Sequence, residues 1–369
     1  MAIFNTTLHC TKEAPADETQ EDKAVIIGIV VLASALIGCS LALVALGRDF
    51  FIGKNPPVVL VSALVWVDFI GVFSTSVIVF HGLLKGSEWM RDSPQCDLQA
   101  FFTTAFGLSS GAVVTSMSLD RVAALYKPFF YKLHATPLLS RTICAFLTMF
   151  CLALAALPFF GIGKYKFNQS SRSFCQFDWF PVTLTETVNS LAIAVCGVTL
   201  ITVMTVSNTI VLVIVVRIRR RMSAVLPSDM NSKRRARRFA FRQEERMAKF
   251  VALASIIFLF TWLPVTVRLF CNIFRAYPST VMDNLSLRLV IFNFVLDPFT
   301  YVLFKKNFKR NLQRSLTELS EFLADVRLNK KVNRNVSFKE DDNKSALVFG
   351  TNGEMSAIEN TRDRVEKTC

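Results

Sequence analysis

The chain alternates between long apolar stretches and short polar ones. Seven apolar runs stand out, near residues 24–46, 57–83, 98–121, 142–162, 187–216, 248–271 and 286–304. Each is close to the ~20 residues needed to cross a ~30 Å hydrocarbon layer. Backbone N–H and C=O groups find no partner in lipid, so runs of this kind are expected to be helices. None shows the period-two alternation of a barrel strand. The pattern predicts an all-α membrane protein, with a seven-transmembrane helix bundle over 24–304 and a separate segment over 1–23. After the bundle, Phe304, Phe308, Leu312, Leu316 and Leu319 recur at helical spacing among Lys and Arg. That predicts a short amphipathic cytoplasmic helix over 305–323. Residues 324–369 are polar and poor in aromatics, and read as a disordered tail.

Composition agrees with this reading. Hydrophobic residues make up 52% of the chain and the mean hydropathy is +0.41. Charge then sets the orientation. The segment before the first run holds Lys12 and Lys23 against Glu13, Asp17, Glu18, Glu21 and Asp22. Residues 217–249 hold twelve Lys/Arg and three acids. Positive loops stay in the cytoplasm, so the N-terminus is expected outside the plasma membrane and the C-terminus inside. The run "KRRARR" (233–238) would suit nucleic acid in a soluble chain. Beside a membrane span it reads as a contact for anionic lipid and cytoplasmic partners, and no nucleic-acid partner is expected. The first apolar run follows an acidic stretch and is long enough to span, so it is not read as a cleavable signal peptide. Asn5 and Asn168 head glycosylation sequons on outside segments, whereas the sequon at Asn335 falls inside.

Of the nine cysteines, Cys39, Cys144, Cys151 and Cys196 lie in the spans and read as packing residues. Cys96 opens the third span and Cys175 follows the fourth. Both face the oxidising side and are expected to pair.

Several functions are disfavoured. His9, His81 and His134 are scattered, and no metal spacing, nucleophile elbow or phosphate loop is visible, so an enzyme is not expected. A membrane transporter is the reading from another class, and it calls for repeated halves and interrupted helices that are not seen. Yet the last run keeps Arg288, Asn293 and Asp297. Charges inside a span are costly and mark functional sites. Arg288 either grips an acidic ligand with its planar fork or snorkels to the headgroups.

Asp120-Arg121 at the inner end of span three, Asp68 in "SALVWVDF", Trp262 and Pro264 in "TWLP", and Asp297, Pro298 and Tyr301 in "LDPFTY" together resemble the rhodopsin-like G-protein-coupled receptors. A finer likeness follows. "LRLVIFNFVLDPFTY" and the loop "GIGKYKFNQSSRSFCQFDW" (161–179) resemble the prostanoid receptors, and "SNTIV" (207–211) carries their span-five asparagine. "KRRARRFAFRQEERMAKFV", "VRLFCNIF" and "CQFDW" lean toward the E-type prostaglandin receptors that stimulate adenylyl cyclase.

The resemblance implies a set of sites. A prostanoid, or another oxylipin or lipid acid, would meet Arg288, Ser173, Phe174 and Arg268. Asp68, Ser110, Asn293 and Asp297 would surround a sodium ion, or else a water network. No other cofactor is implied. Asp120, Arg121, Asn208 and Tyr301 would form the switch toward a heterotrimeric G protein. Leu125, Pro128 and Phe129 would insert into that G protein, with Phe129 alternatively a lipid-facing anchor. Arrestin is a further implied partner. The sequence departs from the pattern at Cys39, Leu83 and Phe174, where the family has asparagine, tyrosine and tryptophan. Thr103 replaces the acid an amine receptor requires, and residues 286–304 lack the lysine of a retinal protein.

Overall fold

Each predicted apolar run falls on a helix, the fourth ending at Ala155, short of the expected residue 162. In the computed structural model these are α1 (Glu18–Leu46), α2 (Pro56–Lys85), α3 (Pro94–Tyr126), α4 (Pro137–Ala155), α5 (Leu184–Ser223), α6 (Ser232–Ile273) and α7 (Thr280–Phe304). Two short α-helices, Asp49–Ile52 and Pro128–His134, and a 3-10 helix, Leu157–Phe160, lie in connections. The structure describes residues 18–46, 49–85, 93–167, 175–223, 232–277, 279–304 and 317. Asn5, Asn168, Ser173 and Phe174 lie outside these residues. So do the predicted amphipathic helix and tail, apart from Thr317. The chain divides into two units, Met1–Phe308 and Lys309–Cys369, and the first contains the helix bundle.

Local chemistry sets the helix starts. Ser93 caps α3, its hydroxyl accepting from the Cys96 N–H, with Pro94 at the first helical position. Thr136 caps α4 in the same way through the Leu139 N–H, followed by Pro137. A hydroxyl there satisfies one of the orphan N–H groups, and proline needs no partner.

Among the described residues, six helices are long and apolar enough to cross a membrane. Their outward faces carry exposed Ile37, Phe146, Leu212 and Ile256. Apolar surface on that scale suits hydrocarbon, and the buried polar groups turn inward. Helix α3 is the hub, packing against α2, α4, α5 and α6. Its central face, from Thr104 to Ser118, is rich in small residues, which lets neighbours approach closely.

A two-stranded hairpin covers one end. Tyr165–Phe167 pairs antiparallel with Cys175–Phe177, placing Phe167 opposite Cys175. Cys175 bonds to Cys96 with a Cα–Cα distance of 5.3 Å, and its N–H donates to Gln99 Oε1 at 3.1 Å. The Tyr165 hydroxyl donates to the Ala155 carbonyl. The expected disulfide is present, and Cys39, Cys144 and Cys151 are buried as expected of packing residues. The bundle thus has a disulfide end, where α3 begins, and an Asp120–Arg121 end, where it finishes.

Closing a loop across a separation of 79 residues restricts the unfolded chain strongly. On the chain-entropy account this is worth about 4–5 kcal/mol. Peptide mapping without reduction should recover the Cys96–Cys175 pair. A Cys96→Ala/Cys175→Ala chain should melt well below the parent in a thermal unfolding assay.

Candidate functional site

Three clusters follow the bundle axis. At the disulfide end, a cavity of about 30 Å³ lies beneath the hairpin. Trp262 and Val265 on α6, Leu287 and Val290 on α7, and Thr103 and Thr104 on α3 form its helical walls. The hairpin side supplies Cys175, Gln176 and Phe177, and Trp179 just beyond. No ionisable side chain lines it. The space is small because α6 sits tightly on α3. A Cβ added at Gly107 would come within 2.6 Å of the Trp262 ring. One added at Gly111 would collide with Phe258. Trp262 and Phe258 stack with centroids 5.4 Å apart. Two glycines one turn apart on α3 therefore seat two rings one turn apart on α6.

Two expected ligand contacts lie away from this cavity. Arg288 is exposed. Helix α7 buries Asp283, Ser286, Leu287, Val290, Asn293 and Asp297, a face that points into the bundle. Arg288 falls on the opposite face with exposed Val281, Leu285 and Phe292, so it does not line the cavity. Arg268 is occupied. It donates to Asp283 Oδ1 at 2.7 Å, the Tyr277 carbonyl at 2.9 Å and Asn272 Oδ1 at 3.0 Å. Its guanidinium pins the turn between α6 and α7, where Arg275 and Tyr277 take positive φ.

In the middle of the bundle, Asp68, Ser110, Asn293 and Asp297 are all buried. Asn293 Nδ2 donates to Asp297 Oδ2 at 2.8 Å and its Oδ1 accepts from Thr261 at 3.0 Å, tying α7 to α6. Asp68, Asp297 and Cys39 lie within electrostatic reach of one another. Ser110 Oγ is buried with no hydrogen-bond partner. Two carboxylates within electrostatic reach of each other offer the hard-oxygen chemistry that suits a small cation. Among the described residues, no group of three or more His, Cys, Asp or Glu is placed to hold a metal. A sodium site here would therefore rest on two carboxylates plus neutral oxygens.

At the far end, Arg121 is 2% exposed. It pairs with Asp120 and donates from Nη1 to Glu244 Oε2 on α6 at 2.6 Å. The Tyr131 hydroxyl donates to Asp120 Oδ1 at 2.8 Å. Burial, and then the Asp120 carboxylate, push that hydroxyl above its ordinary pKa, so it remains a donor. Asn208 Nδ2 reaches Ser118 Oγ at 3.0 Å and Ser255 Oγ at 2.8 Å, knotting α3, α5 and α6. Beside the clamp, Leu125 is half-buried, Pro128 is exposed and Phe129 is 88% exposed. Tyr301 lies in α7, but its side chain is outside the described set. Sequence reasoning missed Glu244, Tyr131, Thr261 and the serines around Asn208. Glu244 sits in "FRQEERMAKF", which reads as a solvated charged face.

Residues 11–301 match the family described as 7 transmembrane receptor (rhodopsin family). Over 287 residues the chain is 27% identical to the prostacyclin receptor of Homo sapiens, covering 75% of this chain and 72% of that one. It is 26% identical over 310 residues to the prostaglandin D2 receptor of Bos taurus, covering 76% and 85%. It is 24% identical over 290 residues to the prostaglandin E2 receptor EP4 subtype of Rattus norvegicus, covering 67% and 58%. Squid rhodopsin superposes with a TM-score of 0.69 over 82% of each chain at 17% identity, a likeness of fold.

Two substitutions should loosen α6 from α3 by different routes. Glu244→Gln removes the charge that holds Arg121 across the helices. Gly111→Ala forces the Phe258 ring off its seat, an overpacking cost of about 1–3 kcal/mol. Spin labels at the Asp120–Arg121 end of α3 and the neighbouring part of α6 should show a longer and broader distance distribution in both variants. An unchanged distribution would mean that the clamp and the glycine seats do not hold α6.

Proposed function

This chain belongs to the rhodopsin family of seven-transmembrane receptors, and on that premise we propose that it is a receptor for a prostanoid, signalling through a heterotrimeric G protein. The observation that carries the receptor reading is the buried Arg121 guanidinium clamped between Asp120 and the part-exposed Glu244, at the end opposite a lidded apolar cavity. An arginine held by two carboxylates on different elements has a second arrangement available when α6 moves, which is the two-state element a switch requires. The prostanoid reading rests on the relatives named for prostacyclin, prostaglandin D2 and prostaglandin E2. An apolar inner cavity suits the hydrocarbon part of such a ligand.

On this reading the disulfide end faces outward at the plasma membrane and the basic stretch 217–249 faces inward. Leu125, Pro128 and Phe129 are the surface offered to the G protein, and an arrestin would use the same end. Asp68, Ser110, Asn293 and Asp297 would hold a sodium ion that offsets the two carboxylates. Asn5 and Asn168 would carry glycans. Among prostanoids, the motifs "CQFDW" and "VRLFCNIF" favour prostaglandin E and coupling to the stimulatory G protein. Prostacyclin is the second candidate, on the 27% identity to its receptor.

Cells expressing the chain should raise cAMP on exposure to prostaglandin E2 or prostacyclin, at concentrations that leave untransfected cells unchanged. Silence in both cAMP and calcium across a prostanoid panel, with receptor at the surface, would overturn the reading. The outward placement of Arg288 makes a sharper forecast. Arg288→Ala should change the affinities of a prostaglandin acid and its methyl ester alike, each by less than about threefold. A loss confined to the acid and exceeding about thirtyfold would mean that Arg288 turns inward to grip the carboxylate.

A further inference from the structure

A second space opens on the flank of the bundle, where the chain leaving α4 runs into the hairpin. Its volume is about 290 Å³. The first turn of α3, the 3-10 helix Leu157–Phe160 and the strand Tyr165–Phe167 bound it. It shares no lining residue with the cavity beneath the hairpin. Phe159 in its wall is 50% exposed and Lys164 70%, so it opens at the surface.

The wall combines three kinds of group. Phe159, Tyr165 and Phe167 supply aromatic rings. Phe159 and Tyr165 meet edge to face with centroids 5.9 Å apart, and Phe101 backs Phe159 at 5.5 Å. Tyr165 and Phe167 are two residues apart on one strand, so they share a face. The Tyr165 hydroxyl is committed to the Ala155 carbonyl, which fixes that ring. Asp97 supplies a carboxylate within electrostatic reach of Tyr165. Lys164 supplies an ammonium, its Nζ 3.5 Å from Glu186 Oε1. A carboxylate has roughly four lone-pair positions and an ammonium several donors. Each can therefore take a further partner beside those it already has.

The pairing of opposite charges selects a ligand that carries both. Aromatic faces beside a carboxylate suit a quaternary ammonium, and a lysine suits a phosphate. The surroundings add an apolar requirement. Leu98 on α3 and Phe160 beside Phe159 are exposed. Rings and aliphatic groups next to an ionic pocket, at the end of a span, mark the level where acyl chains meet headgroups.

We propose that this pocket seats the zwitterionic headgroup of a membrane phosphatidylcholine. The choline ammonium lies over the aromatic rings beside Asp97, the phosphate meets Lys164, and the acyl chains run over Leu98 and Phe160. The strand that carries Tyr165 and Phe167 pairs with the one that carries Cys175, so a lipid seated here braces the hairpin against α3. The seat rests on the membrane-spanning fold and not on the identity of the receptor's ligand.

The test titrates the full chain, purified in detergent, with short-chain phosphatidylcholine or phosphatidylglycerol, and counts bound lipid by native mass spectrometry. Phosphatidylcholine should bind at least about tenfold tighter than phosphatidylglycerol, which keeps the phosphate and lacks the ammonium. Asp97→Asn should weaken phosphatidylcholine by at least about tenfold and phosphatidylglycerol by less than about threefold, with Asp97→Glu restoring the preference. Lys164→Gln should weaken both lipids by similar factors, because the phosphate is common to them. Phe159→Leu, a change at an exposed position, should weaken phosphatidylcholine alone and serves where Asp97→Asn lowers yield. Absence of saturable phosphatidylcholine binding, equal affinity for the two lipids, or a preference indifferent to Asp97→Asn and Phe159→Leu overturns the site. Glycerophosphocholine, the same headgroup without chains, should bind at least about tenfold more weakly. Equal affinity for it overturns the membrane lipid as the occupant.

Discussion

The most demanding group in the bundle is the Arg121 guanidinium, held almost wholly away from solvent. A buried charge is tolerated only with partners, and removing one partner leaves it costly and uncompensated. Asp120 lies on the same helix, so that contact constrains no other element. Glu244 lies on α6, and that contact fixes where the helix sits. The consequence runs the length of α6. Held against α3 at one end, α6 delivers Phe258 and Trp262 onto Gly111 and Gly107, and the same ring that seats on Gly107 forms a wall of the inner cavity. The narrow cavity and the closed clamp are two results of one packing arrangement. A ligand that enlarges the cavity by pushing on Trp262 moves α6 away from α3, and any such movement of α6 acts on the Arg121–Glu244 contact. Coupling of this kind needs no wire of intermediate residues, only a rigid element with two positions that both ends bias.

The sequence makes the membrane class and the seven helices legible, because twenty apolar residues in a row have few other uses. It also exposes the disulfide and the buried polar positions. It fails on azimuth. In a soluble helix the polar face reveals the outside, but here both the lipid-facing and the core-facing sides of α7 are apolar, so hydropathy gives depth without direction. The expected contact at Arg288 shows this: hydropathy gives its depth, and the side chain lies on the exposed side of α7. Its polar neighbours hold the missing information. Asp283, Ser286, Asn293 and Asp297 share one face at helical spacing, and Arg288 does not belong to it. The pairings of Arg268 and Glu244 escape sequence reasoning for a different reason. Their partners lie 15 and 123 residues away, and charge pairing at that range follows from the fold.

The mid-bundle cluster adds a constraint that the two ends do not supply. Asp68 on α2 and Asp297 on α7 share a water-poor interior, where like charges cannot both persist without a cation or a proton between them. The balance depends on the distance between α2 and α7. Gly38 on α1 lets Pro298 approach so closely that an added Cβ would meet its ring at 3.0 Å, which fixes α7 beside α1 just past Asp297. Asn293 then links α7 to Thr261 on α6, the residue next to Trp262 in the cavity wall. A displacement of α6 is thereby transmitted to the carboxylate pair through a single hydrogen-bonded asparagine. An ion or proton held between the carboxylates would favour whichever α6 position keeps Asn293 turned toward Asp297. The Asn293–Thr261 bond and the Arg121–Glu244 contact are in this way two loads on the same helix.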